Sequence, residues 1–199
     1  MYTGVVSNPA PGELETVRAF VNTRDIDDDV EELSAPAELA TWLQEHELAG
    51  NARALTAGPA DLRRALELRE ALRAHLFAHH DQPLAEGAAQ TLDAAARRAR
   101  LTLRFSGSDE TTLEPAAGGV DGALGRLLAI VARAIEQGTW QRLKACPADT
   151  CQWAFYDASR NRSAVWCDMR VCGNRAKVRG FRERTRAGEG GDRAAHDHG

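Results

Sequence analysis

The chain lacks any apolar run approaching the roughly 18 residues that a membrane-spanning helix needs. Its first fifteen residues have no basic flank followed by an apolar stretch, so no secretory signal is expected and the cytoplasm is the expected compartment. Gly-rich phosphate loops, Ser-His-Asp sets and dinucleotide fingerprints are all missing, so no enzymatic activity is expected. His75 and His79 are four apart on a predicted helix, a spacing able to share a metal, but no glutamate lies between them in a protease pattern. Lysine is absent from the first 143 residues and cysteine from the first 145. What the body of the chain lacks is therefore concentrated near its end.

The apolar fraction of 43% is enough for a packed core, and 27% charged residues is ordinary for a globular chain. The charge is unevenly placed. Residues 1–143 carry a net −8 and residues 144–186 a net +6. An acidic body joined to a basic end points to polyanion binding at that end.

Hydrophobic spacing predicts helices through most of the body. Leu14, Val17, Phe20 and Val21 mark the first, over about 14–22, and an acidic loop, Asp25 to Glu32, follows. Ser34 and Pro36 open the second, with the Ser34 hydroxyl expected to cap it and Leu39, Trp42 and Leu43 as its stripe. Pro59 and Asp61 open the third and longest, with Leu62, Leu66, Leu72 and Leu76 along one face to about His80. Residues 84–100 read as a fourth, with Leu84, Ala88, Leu92 and Ala99 on one side. Leu101, Leu103 and Phe105 then alternate with polar residues as a strand does, and Thr111 to Glu114 can return beside it. Leu124, Leu127, Leu128, Val131 and Ile135 rebuild a helix that Gly138 can end.

The cysteines stand at 146, 151, 167 and 172, two C-x4-C pairs separated by fifteen residues. Two close pairs at that separation form a metal-site pattern, and four thiolates with none left over suit the tetrahedral sulfur preference of zinc. Cys146, Cys151, Cys167 and Cys172 are thus the expected zinc ligands. Between them, Trp153 to Tyr156 reads as a strand, Asp157 to Asn161 as a turn, and Ala164 to Cys167 as the returning strand. Trp153, Phe155 and Trp166 are expected to form the small core there. After Cys172 a basic helix follows, whose Val178 and Phe181 are expected to pack back on the hairpin. Knuckle, hairpin and a helix carrying the last ligand describe a treble-clef-like finger.

Cys146 to Arg184 resembles the CGNR zinc finger, whose naming tetrapeptide stands here as Cys172, Gly173, Asn174 and Arg175. Its F-x-D-x-S-x-N stretch is matched by Phe155, Asp157, Ser159 and Asn161, its W-C-x-M by Trp166, Cys167 and Met169, and its R-A-K-V-R by Arg175 to Arg179. Upstream, F-V-N-T (Phe20 to Thr23), L-x-x-W-L (Leu39 to Leu43) and L-R-E-A-L-R (Leu68 to Arg73) resemble the ABATE-type domain that precedes this finger. The resemblance implies a bacterial stress-induced transcription regulator without enzymatic activity. Where the family has two arginines before the tryptophan, Ala164 and Val165 stand here, so phosphate contact does not carry over to that strand.

The sequence therefore predicts a mainly α (α+β) protein. A helical body with one β-hairpin fills residues 1–138, a zinc finger residues 139–186, and a tail expected to be disordered residues 187–199. Arg175, Lys177, Arg179, Arg182 and Arg184 are the expected nucleic-acid contacts, since each cation near a phosphate releases a counterion. Arg160, Arg162, Arg170 and Arg186 add to the basic surface. The expected function is zinc-dependent DNA binding in transcription regulation, with the body sensing a signal or forming a homodimer. The alternative is a zinc-stabilised protein-interaction module without DNA contact.

Overall fold

The computed structural model describes residues 9–50, 54–105, 107 and 111–182. Five helices build the body: α1 (Leu14–Asn22), α2 (Pro36–Glu45), α3 (Pro59–Ala78), α4 (Ala88–Ala99) and α5 (Gly119–Glu136). Pro36 and Pro59 occupy first turns, where a missing amide proton leaves no bond unmade. At both starts a carboxylate folds back on the entering backbone. Glu38 accepts from the Ser34 and Ala35 amides at 2.7 and 2.8 Å, and Asp61 accepts from the Gly58 amide at 2.8 Å. The Ser34 hydroxyl is not the cap that the sequence suggests. Ala35 holds that position, and the hydroxyl donates to Glu38 at 2.7 Å.

The helices share one core of Val17, Phe20, Leu39, Leu43, Leu68, Leu72, Leu76, Leu124 and Leu127, all buried. Each fully buried leucine stabilises by about 1.5–3 kcal/mol relative to exposure. The inward stripe of α3 is Ala65, Leu68, Leu72 and Leu76, while Leu62 and Leu66 are only partly buried beside it. Leu84 precedes α4, whose buried side is Ala88, Ala95 and Ala99, and Ile135 is half exposed near the end of α5.

Strand β3 (Leu101–Phe105) pairs antiparallel with β4 (Thr111–Pro115), Leu103 facing Leu113, but the half-buried face that the alternation suggests is missing, with Leu103 and Phe105 56% and 76% exposed. The acidic segment is a second hairpin where a loop was expected: β1 (Arg24–Asp25) pairs with β2 (Val30–Glu31). Its turn closes because Asp25 Oδ1 accepts the amides of Asp27 and Asp28 at 3.0 and 3.1 Å. Its base is tied to α3, where Arg69 meets both Glu31 carboxylate oxygens at 2.7 Å.

Beyond a short 3-10 turn (Trp140–Arg142), β5 (Leu143–Ala145) pairs antiparallel with β6 (Ala154–Tyr156). This replaces the expected pairing of Trp153–Tyr156 with Ala164–Cys167. The fully buried Leu143-Lys144-Ala145 takes the neighbouring place, and residues 164–167 run on without strand pairing. Trp140, Leu143, Ala145 and Ala154 belong to the same hydrophobic cluster as α1, α3 and α5, so one core crosses from body to finger. A last helix, α6, spans 174–182. Its Val178 and Phe181 are 49% and 63% exposed where burial was expected, and Ala176 and Gly180 form its partly buried side. Among the described residues no helix is long and apolar enough to cross a membrane.

Candidate metal centre

Cys146, Cys151 and Cys172 are each delivered by a short piece of backbone with its own hydrogen bonds. Cys146 leaves the end of β5, its amide bonded to the Trp153 carbonyl at 2.9 Å. A tight turn returns Cys151, with the Cys151 and Gln152 amides both donating to the Ala148 carbonyl at 2.8 and 3.1 Å. Cys172 sits in a wide turn, Met169–Gly173, started by the Asp168 carboxylate accepting the Arg170 amide at 2.6 Å. Gly173 fits beneath Met169 and Trp166, because a Cβ there would lie 2.4 Å from Met169 Sδ and 3.3 Å from Trp166 Cδ1.

The four Sγ atoms all lie within 4.8 Å of one another, the single such ligand group among the described residues. Cys151 and Cys167 are 3.6 Å apart, and Cys167 and Cys172 3.7 Å. A disulfide needs about 2.05 Å, and all four cysteines are free. Four thiolates about 2.3 Å from one zinc ion stand about 3.8 Å from each other, so the sulfur spacing fits a tetrahedral site. Phe155 is buried against the cluster, with Trp153 and Trp166 partly buried around it, as the sequence predicts.

Without a cation the cluster tolerates little negative charge. Thiol hydrogen bonds from Cys151 and Cys167 pull Cys146 down to about 2, and the ionised Cys146 then pushes Cys151 up to about 12. Cys167 is raised by its hydrogen bonds to Cys146 and Cys151, and Cys172 by burial and the charge of Cys146. Four thiolates coexist there only around a cation, and this donor set suits zinc, which would be held by Cys146, Cys151, Cys167 and Cys172 as a closed structural site.

Beside the cluster lies a polar keystone that sequence reasoning missed. Lys144 is 5% exposed on β5, and its Nζ donates to Asp157 Oδ2 at 2.8 Å and to the Arg162 and Ala164 carbonyls at 2.8 and 3.0 Å. Asp157, 1% exposed, also accepts from the Ser159 amide and hydroxyl at 3.0 and 2.5 Å and from the Ala164 amide at 2.9 Å. Burial alone raises this carboxyl, but the bonds from Lys144 and Ser159 outweigh it and hold the group below its ordinary value. The signal available in sequence was one lysine in an otherwise apolar strand, thirteen residues before an aspartate.

The body grips the finger with further polar side chains. Asn22, at the end of α1, brackets Ala154 like a strand neighbour, accepting its amide at 2.8 Å and donating to its carbonyl at 2.9 Å. Arg73 of α3 donates to the carbonyls of Gln152 and Val21, both at 2.7 Å. His79 and His80 bond the Leu143 and Ala145 carbonyls at 2.7 and 2.8 Å. His75 and His79 pack around Trp140, with ring centroids 5.7 and 5.3 Å from it. Both are partly buried, and neither belongs to a group of three or more metal-ligating side chains among the described residues.

Arg170, Arg175, Arg179 and Arg182 line one shallow groove with Asn174 and Val178, and all four arginines are exposed. Lys177 is exposed but does not line that groove, since at about 100° per residue it projects from the far side of α6 relative to Arg175. Arg175 Nη1 meets both carboxylate oxygens of Asp27, on the acidic hairpin, at 3.0 Å. Arg160 and Arg162 lie exposed in the loop after β6, and Arg184 and Arg186 lie outside the described residues.

Comparison with known families places both halves. Residues 15–137 match the ABATE family model, described as "Putative stress-induced transcription regulator", and residues 142–185 match the model described as "CGNR zinc finger". A search of curated proteins found no match. The N-terminal match covers Asn22, Arg69 and Arg73, and the C-terminal match covers all four cysteines and the Asp157 keystone. With four sulfurs gathered for zinc and both families matched in this order, the chain belongs to the ABATE family and is a zinc-binding regulator ending in a CGNR zinc finger.

Proposed function

We propose that the chain is a DNA-binding transcription regulator whose zinc finger lays α6 against the phosphate backbone, while the body receives a signal or pairs two copies. The observation that carries this reading is the arginine groove. Arg175, Arg179 and Arg182 recur at helical spacing on one face of α6, and Arg170 extends the row from the cysteine-bearing turn. Arginine forks match phosphate oxygens, and a row of them on a convex helix suits a duplex backbone. In this reading zinc is structural, no catalytic step belongs to the chain, and its place is the cytoplasm.

The test is the salt dependence of duplex binding. Four phosphate contacts give a log–log slope of about −3.6. Changing Arg179 and Arg182 together to Ala should weaken binding to every sequence and flatten that slope by about 1.8. Lys177→Ala, off the row, should leave the slope nearly unchanged. A second reading, a zinc-stabilised protein-interaction module, is favoured by Met169, Val178 and Phe181, which are 53%, 49% and 63% exposed on the same finger. If the intact, zinc-loaded chain fails to bind duplex DNA at low salt, that second reading replaces the first.

A further inference from the structure

The acidic hairpin is tied to the body by side-chain bonds, although its tip is exposed. Arg69, itself 4% exposed, clamps Glu31 at its base with two bonds of 2.7 Å. Arg24 reaches across it to Asp29 at 2.5 Å, and the Asp25 carboxylate ties down the amides of Asp27 and Asp28 at its tip. The clamped tip puts both oxygens of Asp27 on Arg175, the first arginine of the α6 row and 148 residues distant in sequence. A guanidinium recognises carboxylate and phosphate with the same donors, so a carboxylate held there takes the place a phosphate would take.

We propose that the β1–β2 hairpin is an autoinhibitory strap, in which Asp27 occupies Arg175 as a phosphate mimic and must be displaced when α6 engages a nucleic-acid backbone. The inference rests on the DNA-binding reading above. The pair is half exposed on both sides, with side-chain exposures of 51% for Arg175 and 41% for Asp27, so the contact is a weak competitor and not a lock. Its effect is a graded loss of affinity. By linkage, anything that draws the hairpin away from α6 tightens backbone binding by the same factor.

The experiment uses the full, zinc-loaded chain and a duplex of arbitrary sequence at low salt. Wild type, Asp27→Asn, Arg175→Ala and the double variant are compared. Asp27→Asn should bind about twofold to fivefold tighter than wild type, with the gain shrinking as salt rises. In the Arg175→Ala background the same substitution should give no gain. Equal binding by wild type and Asp27→Asn overturns the strap and leaves the DNA reading standing. A gain that persists without Arg175 also overturns it, since it would then come from net charge alone. No binding by any of the four, with zinc retained, overturns the DNA reading and the strap together.

Discussion

Replacing Lys144 by methionine should cost about 3–5 kcal/mol, the usual penalty for removing one partner of a buried ion pair. Three contacts disappear with the ammonium: those to Asp157 at 2.8 Å and to the Arg162 and Ala164 carbonyls at 2.8 and 3.0 Å. Asp157 keeps its bonds from Ser159 and the Ala164 amide, so the carboxylate is underpaired rather than bare. That argues against a larger loss. Both side chains are almost fully shielded, at 7% and 0% exposure, which separates the pair from surface salt bridges worth at most about 1 kcal/mol.

Where the loss is read depends on what it destabilises. If β5 folds only with the finger, the penalty falls on zinc binding, because metal affinity there is folding energy. Competition with a chelator should then show zinc held about a hundredfold to a few thousandfold more weakly, since each 1.4 kcal/mol is about tenfold. If β5 stays with the body, the loss appears instead in the thermal melt. Adding Asp157→Asn should recover more than about 1 kcal/mol, because the neutral amide removes the underpaired charge. The pH dependence has a definite sign. In wild type the depressed Asp157 carboxyl contributes stability above the ordinary carboxylate range, and that contribution is lost as pH falls through its lowered value. In Lys144→Met the carboxyl loses the Lys144 bond but keeps those from Ser159, so it is held down less, and the gap between variant and wild type should narrow as pH falls toward the ordinary carboxylate range. A variant within about 1 kcal/mol of wild type, with unchanged zinc retention, would refute the reasoning.

Two further outcomes follow from the same geometry. The purified chain should carry about one zinc ion, and Cys167→Ser should loosen the metal and the order of residues 144–182, read by elemental analysis and by melting. A chain ending at Gly138 should lose cooperative unfolding, because it strips Trp140, Leu143, Ala145 and Ala154 from the core and leaves Asn22 and Arg73 without their finger partners. A sharp calorimetric transition in that truncation would show that the body's own helices suffice.

The helices are legible in the sequence because Pro36, Pro59 and the leucine spacings announce them, and the cysteine spacing announces the sulfur cluster. The β1–β2 hairpin is not legible, since a run of acids reads as a solvated loop until Arg69 and Arg24 supply the charges that fold it. The wrong strand partner for β6 has a similar cause. Leu143-Lys144-Ala145 carries no strand signature of its own, and its lysine argues for solvent unless Asp157 is already in place. Val178 and Phe181 follow the spacing of a packed stripe, but the small residues Ala176 and Gly180 turn inward instead, leaving the large ones outside. Arg69 and Arg73 are the hardest to foresee: charged residues at 4% and 2% exposure in a helix otherwise buried through alanine and leucine.

Those two arginines bear on how the body and the finger could communicate. Independent modules are joined by exposed linkers across which few contacts run. Here the connection from α5 to β5 is itself bonded and anchored by one buried residue: the Thr139 amide donates to the Ala134 carbonyl at 2.9 Å, and Trp140 is 2% exposed in the common core. Arg73 holds one carbonyl from α1 and one from the first cysteine turn in a single guanidinium, so those two backbones cannot separate without breaking one of its bonds. Asn22 adds a second tie at Ala154, one strand away from the sulfur cluster. A shift of α1 against α3 must therefore move the cysteine turn or leave a buried guanidinium unsatisfied, which costs more than an exposed ion pair. The Asp27–Arg175 contact is the weakest of the ties between body and finger, since both partners are half exposed. It is the tie that a modest change in the body can break while the core and the Arg73 and Asn22 bonds stay in place.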